Sequence, residues 1–158
     1  MIYFQIIATL IVVPIRFHIE PPLNFQLKQR SLLKKWLQAT IQTEQKQTGD
    51  INFIFCTDDY LHNMNVLYLS HDTLTDVITF DYSADEPQEG KITGDIFISI
   101  DRVTENADKF GVPTLHELRR VMVHGVLHLL GYHDKTAPQK TQMHTKEDEY
   151  LAIYNRLV

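Results

Sequence analysis

A disulfide framework is the first thing this chain cannot build, because only one of its 158 residues, Cys56, is a cysteine. A single thiol fits a reducing compartment. In the run Phe55-Cys56-Thr57 it reads as a small buried strand residue. Thiolate-rich closed zinc sites are out of reach for the same reason. Glycine and proline are also scarce, at six each, and no repeat, domain linker or low-complexity tract is present. The chain therefore reads as one domain, long enough to bury roughly two-thirds of its unfolded surface. Positive charge is in deficit: 15 Lys and Arg face 20 Asp and Glu, for a net charge of -5. That argues against broad nucleic-acid binding driven by total charge, while leaving room for a local basic cleft. No run is long enough to span a bilayer, which takes about 20 apolar residues. Residues 1–14 (MIYFQIIATLIVVP) are mostly apolar, but they lack a basic lead and a clear cleavage site. They fit an N-terminal strand or extra leader residues ahead of a domain over 15–158.

What is present alternates strand and helix signals. Residues 15–19 alternate apolar and polar as a half-buried strand does, and Pro21-Pro22 closes them. Leu33, Trp36, Leu37 and Ile41 recur at helical spacing, with Lys34 and Lys35 on the solvated side. Gly49-Asp50 reads as a turn, Ile51–Cys56 as a strand, and Thr57-Asp58-Asp59 as the cap and acidic first turn of a helix to about Leu69. Residues 75–82 and 94–100 read as two strands joined by an acidic loop, and 101–110 as a short helix stopped by Gly111. Thr114-Leu-His-Glu117 matches a capping box, opening a helix that is apolar on nearly every face beyond Arg120. A helix from Met143 to Leu157 ends the chain. The expected fold is a single α+β domain, a mixed β-sheet packed against a central buried helix and further helices.

That central helix carries the chemistry. His124 and His128 stand four residues apart, which places both imidazoles on one helix face. Gly131 offers a left-handed stop, and a chain turning there returns His133 or Asp134 toward the pair. Two neutral imidazoles and one carboxylate with an open position suit catalytic zinc. The layout His-x3-His-x2-Gly-x2-(His/Asp) is that of extended zincin sites. Asp134 is the favoured third ligand because it sits ten residues after the first histidine. Proteases of that type carry a glutamate general base beside the first histidine; here the position is Gly125, which disfavours peptide hydrolysis.

With these residues in view, the chain resembles the YbeY family of bacterial metal-dependent endoribonucleases over about residues 15 to 158. The likeness rests on His124-Gly-Val-Leu-His-Leu-Leu-Gly-Tyr132, Asn65-Val-Leu-Tyr68, Thr75-Asp-Val-Ile-Thr-Phe80 and Gly94-Asp95-Ile96, in the family's order. The resemblance implies one zinc ion, a cytoplasmic location, single-stranded ribosomal RNA as substrate, and work in small-subunit rRNA maturation and ribosome quality control. It implies the ribosome or its small subunit as partner, and neither membrane nor DNA. Two positions depart from the pattern. The family ends its motif with a histidine ligand where Asp134 stands, and it carries an arginine where this chain has Leu69. A guanidinium stabilises charge on a scissile phosphate and leucine cannot. His71 is the nearby candidate for part of that role, and His133, when not a ligand, for moving protons beside the metal. Asp76 and Asp95 are candidates for orienting groups near the cleft, or for capping turns. Two other functions fit the residues: a ribosome-associated assembly factor with a mainly structural metal, and a zinc hydrolase of a non-RNA substrate.

Overall fold

The computed structural model describes residues 15–70, 74–84 and 90–158. The expected leader 1–14 and the candidate His71 lie outside the described residues. The elements run β1 (Arg16–Ile19), α1 (Arg30–Thr43), β2 (Gln47–Cys56), α2 (Asp58–Leu69), β3 (Val77–Asp81), β4 (Lys91–Ser99), α3 (Ile100–Phe110), α4 (Thr114–Leu129) and α5 (Ala137–Leu157). The four described strands form one mixed sheet in the order β1-β2-β4-β3. β1 and β4 flank β2 in parallel, and β3 pairs antiparallel with β4, the hairpin-like partner that the two adjacent strand signals suggested.

One face of the sheet carries the core. Ile51, Phe53 and Phe55 of β2 and Ile92, Ile96 and Ile98 of β4 are buried there with Leu33, Trp36, Leu37 and Ile41 of α1 and most of α4. Each such side chain stabilises the fold by roughly 1.5–3 kcal/mol. Gly125 decides how close α4 comes to the sheet: a Cβ there would lie 2.7 Å from Ile96 Cγ2. The position that bears glutamate in zincin proteases is thus occupied by the helix-sheet contact. α5 packs over α1 and α4, with Trp36 Nε1 donating to the Tyr150 carbonyl at 2.7 Å. On the other face α2 covers only part of the sheet, around Cys56, Leu61 and Ile78. Burial there pushes the Cys56 thiol up to about 12, followed in effect by the charges of Glu20, Asp101 and Asp58. It is the inert strand cysteine its sequence context indicated.

Two local expectations are corrected. The turn before β2 falls at Glu44-Gln45, not at Gly49-Asp50, which lie inside the strand. Gly49 is there for contact: a Cβ would stand 2.5 Å from the Ile92 carbonyl oxygen. Thr114 is not the N-cap of α4. Pro113 is, with extended backbone and no side-chain hydrogen bond. Shifted by one residue, Glu117 turns into the interior instead of back to the cap. A reciprocal capping box does form one helix later, between Thr136 and Gln139 of α5.

Candidate metal centre

α4 carries its two imidazoles one turn apart and ends in a complete Schellman motif. The Tyr132 N–H reaches the Leu127 carbonyl and the Gly131 N–H the His128 carbonyl, each at 3.0 Å. Gly131 takes φ +99°, which an L side chain rarely adopts. This turn fixes the path to Asp134, whose Oδ2 lies 3.3 Å from His124 Nε2 and 3.4 Å from His128 Nε2. The two Nε2 atoms are 3.0 Å apart. His133 points into solvent and is not in this group.

The outer partners decide which ring nitrogens face the centre. His124 Nδ1 lies 3.2 Å from Glu147 Oε1, and His128 Nδ1 lies 3.0 Å from the Tyr132 carbonyl. Both partners are acceptors, so both Nδ1 atoms carry the proton and both Nε2 atoms present lone pairs. Two lone pairs and a carboxylate oxygen then converge with no proton donor among them. They repel unless a cation or a proton sits between them, which is how a carboxylate-imidazole second shell prepares a metal site. His124, His128 and Asp134 are the residues that could hold such an ion. Asp134 is 40% exposed at its side chain, so the group opens to solvent and leaves a coordination position free.

Charge around the centre is arranged for a cation. Glu147 is almost fully buried and is also met by Arg120 Nη1 at 3.4 Å and His144 Nδ1 at 3.3 Å. Burial opposes charge on His124, but the hydrogen bond and charge of Glu147, with Asp134 and Asp76, raise its pKa. His128 goes the other way, lowered by burial and by the nearby His124, against the pull of Asp134. Asp76 is held above the usual carboxylate range by burial, despite His124, and accepts a hydrogen bond from Asn106 Nδ2 at 3.3 Å. Glu117 is raised likewise, by burial first. Asp95 does not join them. It lies on the opposite sheet face from Ile96, where Asn52 Nδ2 and Tyr82 Oη donate to it at 3.0 and 3.2 Å. Leu69 is the exposed last residue of α2.

The supports of the site were less visible in sequence than its ligands. Glu147 shares the buried stripe of α5 with Met143, Tyr150 and Tyr154, and a carboxylate among such residues is the signal that marks it. Glu44 carries no comparable signal. From the end of α1 its carboxylate accepts from Tyr132 Oη at 2.8 Å, from Lys146 Nζ at 3.0 Å and from Tyr150 Oη. It thereby clamps the turn whose carbonyl orients His128.

The family model described as Endoribonuclease YbeY matches residues 21–155. Among curated proteins, the Endoribonuclease YbeY of Flavobacterium psychrophilum is 49% identical over 133 residues, spanning 84% of this chain and 92% of that protein. That of Amoebophilus asiaticus is 46% identical over 136 residues, spanning 86% and 90%. Among solved structures, the solution structure of TM1509 from Thermotoga maritima aligns with a TM-score of 0.60 at 29% identity, covering 89% of this chain and 88% of that one. With the family model spanning nearly the whole domain, and relatives close to half identical across it, this chain belongs to the YbeY family.

Proposed function

We propose that this chain is a zinc-dependent endoribonuclease that cuts single-stranded RNA in ribosomal RNA maturation and ribosome quality control, working in the cytoplasm on the small ribosomal subunit. The observation that carries the reading is the solvent-open convergence of His124 Nε2, His128 Nε2 and Asp134 Oδ2, with both imidazole tautomers set from behind. The activity itself is carried over from the relatives named Endoribonuclease YbeY. His124, His128 and Asp134 would hold the ion, and a site of two imidazoles and one carboxylate is ordinary for zinc. Zinc, when bound, supplies Lewis acidity toward phosphate oxygens and acidifies a coordinated water.

The protein's own groups do the rest. Glu147 and the Tyr132 carbonyl keep both rings aimed at the ion. His133, exposed and one residue before Asp134, is the residue of this chain we assign to moving protons between the site and solvent. A carboxylate in place of a third imidazole lowers the formal charge of the filled site by one, and Leu69 supplies no charge for the scissile phosphate. Both differences make this a slower nuclease than relatives with three histidines and the arginine. Leu69 and the net charge of -5 are also the observations that favour a second reading, an assembly factor whose metal is mainly structural.

The deciding experiment incubates the zinc-loaded protein with a model single-stranded RNA and with a casein-type peptide, with and without chelator. The expected result is RNA cleavage that chelation abolishes and zinc restores, with the peptide intact and RNA binding weakened by salt. A zinc-loaded protein that binds ribosomal particles but cuts no RNA would replace the nuclease with the assembly factor. Peptide cleavage would replace both.

A further inference from the structure

A cavity of about 290 Å³ opens against the turn that delivers Asp134. Its walls are Gly131, Tyr132 and His133 of that turn, Gln139 and Gln142 of α5, and Glu44 at the base. The base is already neutralised and fixed, because the Glu44 carboxylate is engaged by Tyr132, Tyr150 and Lys146. It neither repels an anionic ligand nor moves to meet one. Three lysines flank these lining residues in the chain. Lys46, Lys135 and Lys140 are exposed, stand within two residues of the site or its lining, and join no ion pair among the described residues.

The polar lining has a direction. Gln139 Oε1 is spent, accepting from the N–H groups of Lys135 and Thr136 at 3.0 Å each. That leaves Gln139 only its amide N–H donors to offer the cavity. An exposed imidazole and a tyrosine ring are surfaces on which a nucleobase stacks. The volume is near the lower end for small-molecule pockets, enough for one nucleoside and not for two.

We infer that this cavity is a nucleoside subsite of the RNA path, holding one base beside the metal centre, while the surrounding lysines take its flanking phosphates. The inference rests on the RNA reading above and adds a sequence preference to it. Because Gln139 offers donors only, the subsite favours a base whose edge carries acceptors. Uracil and cytosine have nearly the same shape, but the pairing edge of cytosine presents two adjacent acceptors, O2 and N3, where uracil places an N–H donor at position 3. One hydrogen bond made or lost is worth roughly three- to tenfold in affinity.

The test uses the full zinc-loaded chain and two single-stranded probes of equal length, oligouridylate and oligocytidylate. Binding is followed by fluorescence polarisation, cleavage on gels of the same samples, and the Gln139 and Gln142 side-chain amides by NMR. The expected result is tighter binding of oligocytidylate by roughly three- to tenfold, with both amide signals moving. Gln142→Ala weakens that binding, and Gln142→Trp, which fills the cavity, removes the difference between the probes. Both variants retain zinc. RNA that is bound and cut with no difference between probes and no effect of Gln142→Trp would overturn the subsite and leave the nuclease standing. A wild-type protein that neither binds nor cuts either probe would take both down.

Discussion

His124 and His128 lie one helical turn apart and aim the same ring nitrogen at the same point, yet they are held by different means. Behind His124 stands a buried carboxylate, Glu147, itself paired with Arg120. Behind His128 stands a neutral backbone carbonyl, that of Tyr132, in a turn clamped by Glu44 from another helix. The charged support raises the pKa of its histidine, and burial beside that charged neighbour lowers the other. One side of the site is therefore tuned by charge and the other by geometry. Breaking each should leave a different signature.

The largest effect is expected where both histidines lose their common partner. Asp134→Ala should reduce zinc affinity at least about 100-fold, whereas His133→Ala should leave the site filled, as read by zinc content after competition with a chelator. Zinc at a thousandfold excess over its Kd stabilises a native state by about 4 kcal/mol. That increment in Tm should disappear in Asp134→Ala and persist in His133→Ala. The reverse pattern would make His133 the ligand.

Next come the two supports themselves. Glu147→Gln keeps an acceptor for His124 Nδ1 but removes the charge, and should weaken zinc roughly 10- to 100-fold, the usual cost of a lost outer-shell carboxylate. Glu44→Gln leaves the Tyr132 carbonyl in place, since the Tyr132 N–H still holds Leu127. It should change zinc affinity only a few-fold, but it leaves Lys146 only its 3.6 Å pair with Glu149 and weakens the acceptor shared by two tyrosine hydroxyls, and so should lower the Tm more than Glu147→Gln does. Equal effects of the two variants on zinc would erase the distinction between charge and geometry.

The asymmetry also explains what was legible in the sequence. His124, His128, Gly131 and Asp134 lie within eleven consecutive residues, so helical spacing and turn chemistry suffice to bring them together. The strand and helix content followed from periodicity in the same way, because Trp36, Leu37 and Ile41 or Phe53 and Phe55 reveal their burial locally. Glu147 and Glu44 belong to elements that meet α4 only through tertiary packing, and no local pattern says which carboxylate will face which histidine. The cap of α4 went astray by a single residue for a related reason. The Thr-x-x-Glu signal is as good at Thr114 as Thr-x-x-Gln is at Thr136, and only the interior waiting for Glu117 separates the true box from the false one.

A smaller effect should appear in the pH dependence of zinc loading. Protons compete with zinc for His124, and because its pKa is raised above 6.5, the apparent zinc affinity should begin to fall above that pH on acidification. Without Glu147 the main cause of the rise is gone. Glu147→Gln should therefore lose zinc at a lower pH than wild type when both start equally loaded. For metal-free protein the sign is opposite. A histidine whose folded pKa is raised contributes stability that is complete below 6.5 and lost as pH rises through the folded value. Wild type should thus shed that contribution as pH rises from 6.5 through the raised folded value, and Glu147→Gln should not. Melting curves of the two metal-free proteins across this range provide the check.

The smallest expected effect concerns Asp76, whose charge is useful to a cation and costly without one. Its carboxyl is buried, its pKa is raised chiefly for that reason, and Asn106 gives it one long hydrogen bond at 3.3 Å. A carboxyl with a raised folded pKa imposes no penalty below its unfolded value of 3.8 and a growing one as pH rises through the folded value. Asp76→Asn should therefore raise the Tm of metal-free protein at pH 7 by about 2–4 °C, the equivalent of ~1 kcal/mol in a domain of this size. The gain should shrink as the pH is lowered toward 4. With zinc bound the order reverses: the lost charge weakens zinc several-fold, and the variant melts below wild type at limiting zinc. If Asp76→Asn is instead less stable than wild type in both states, Asp76 serves to cap the start of β3 and has no part in the field around the metal.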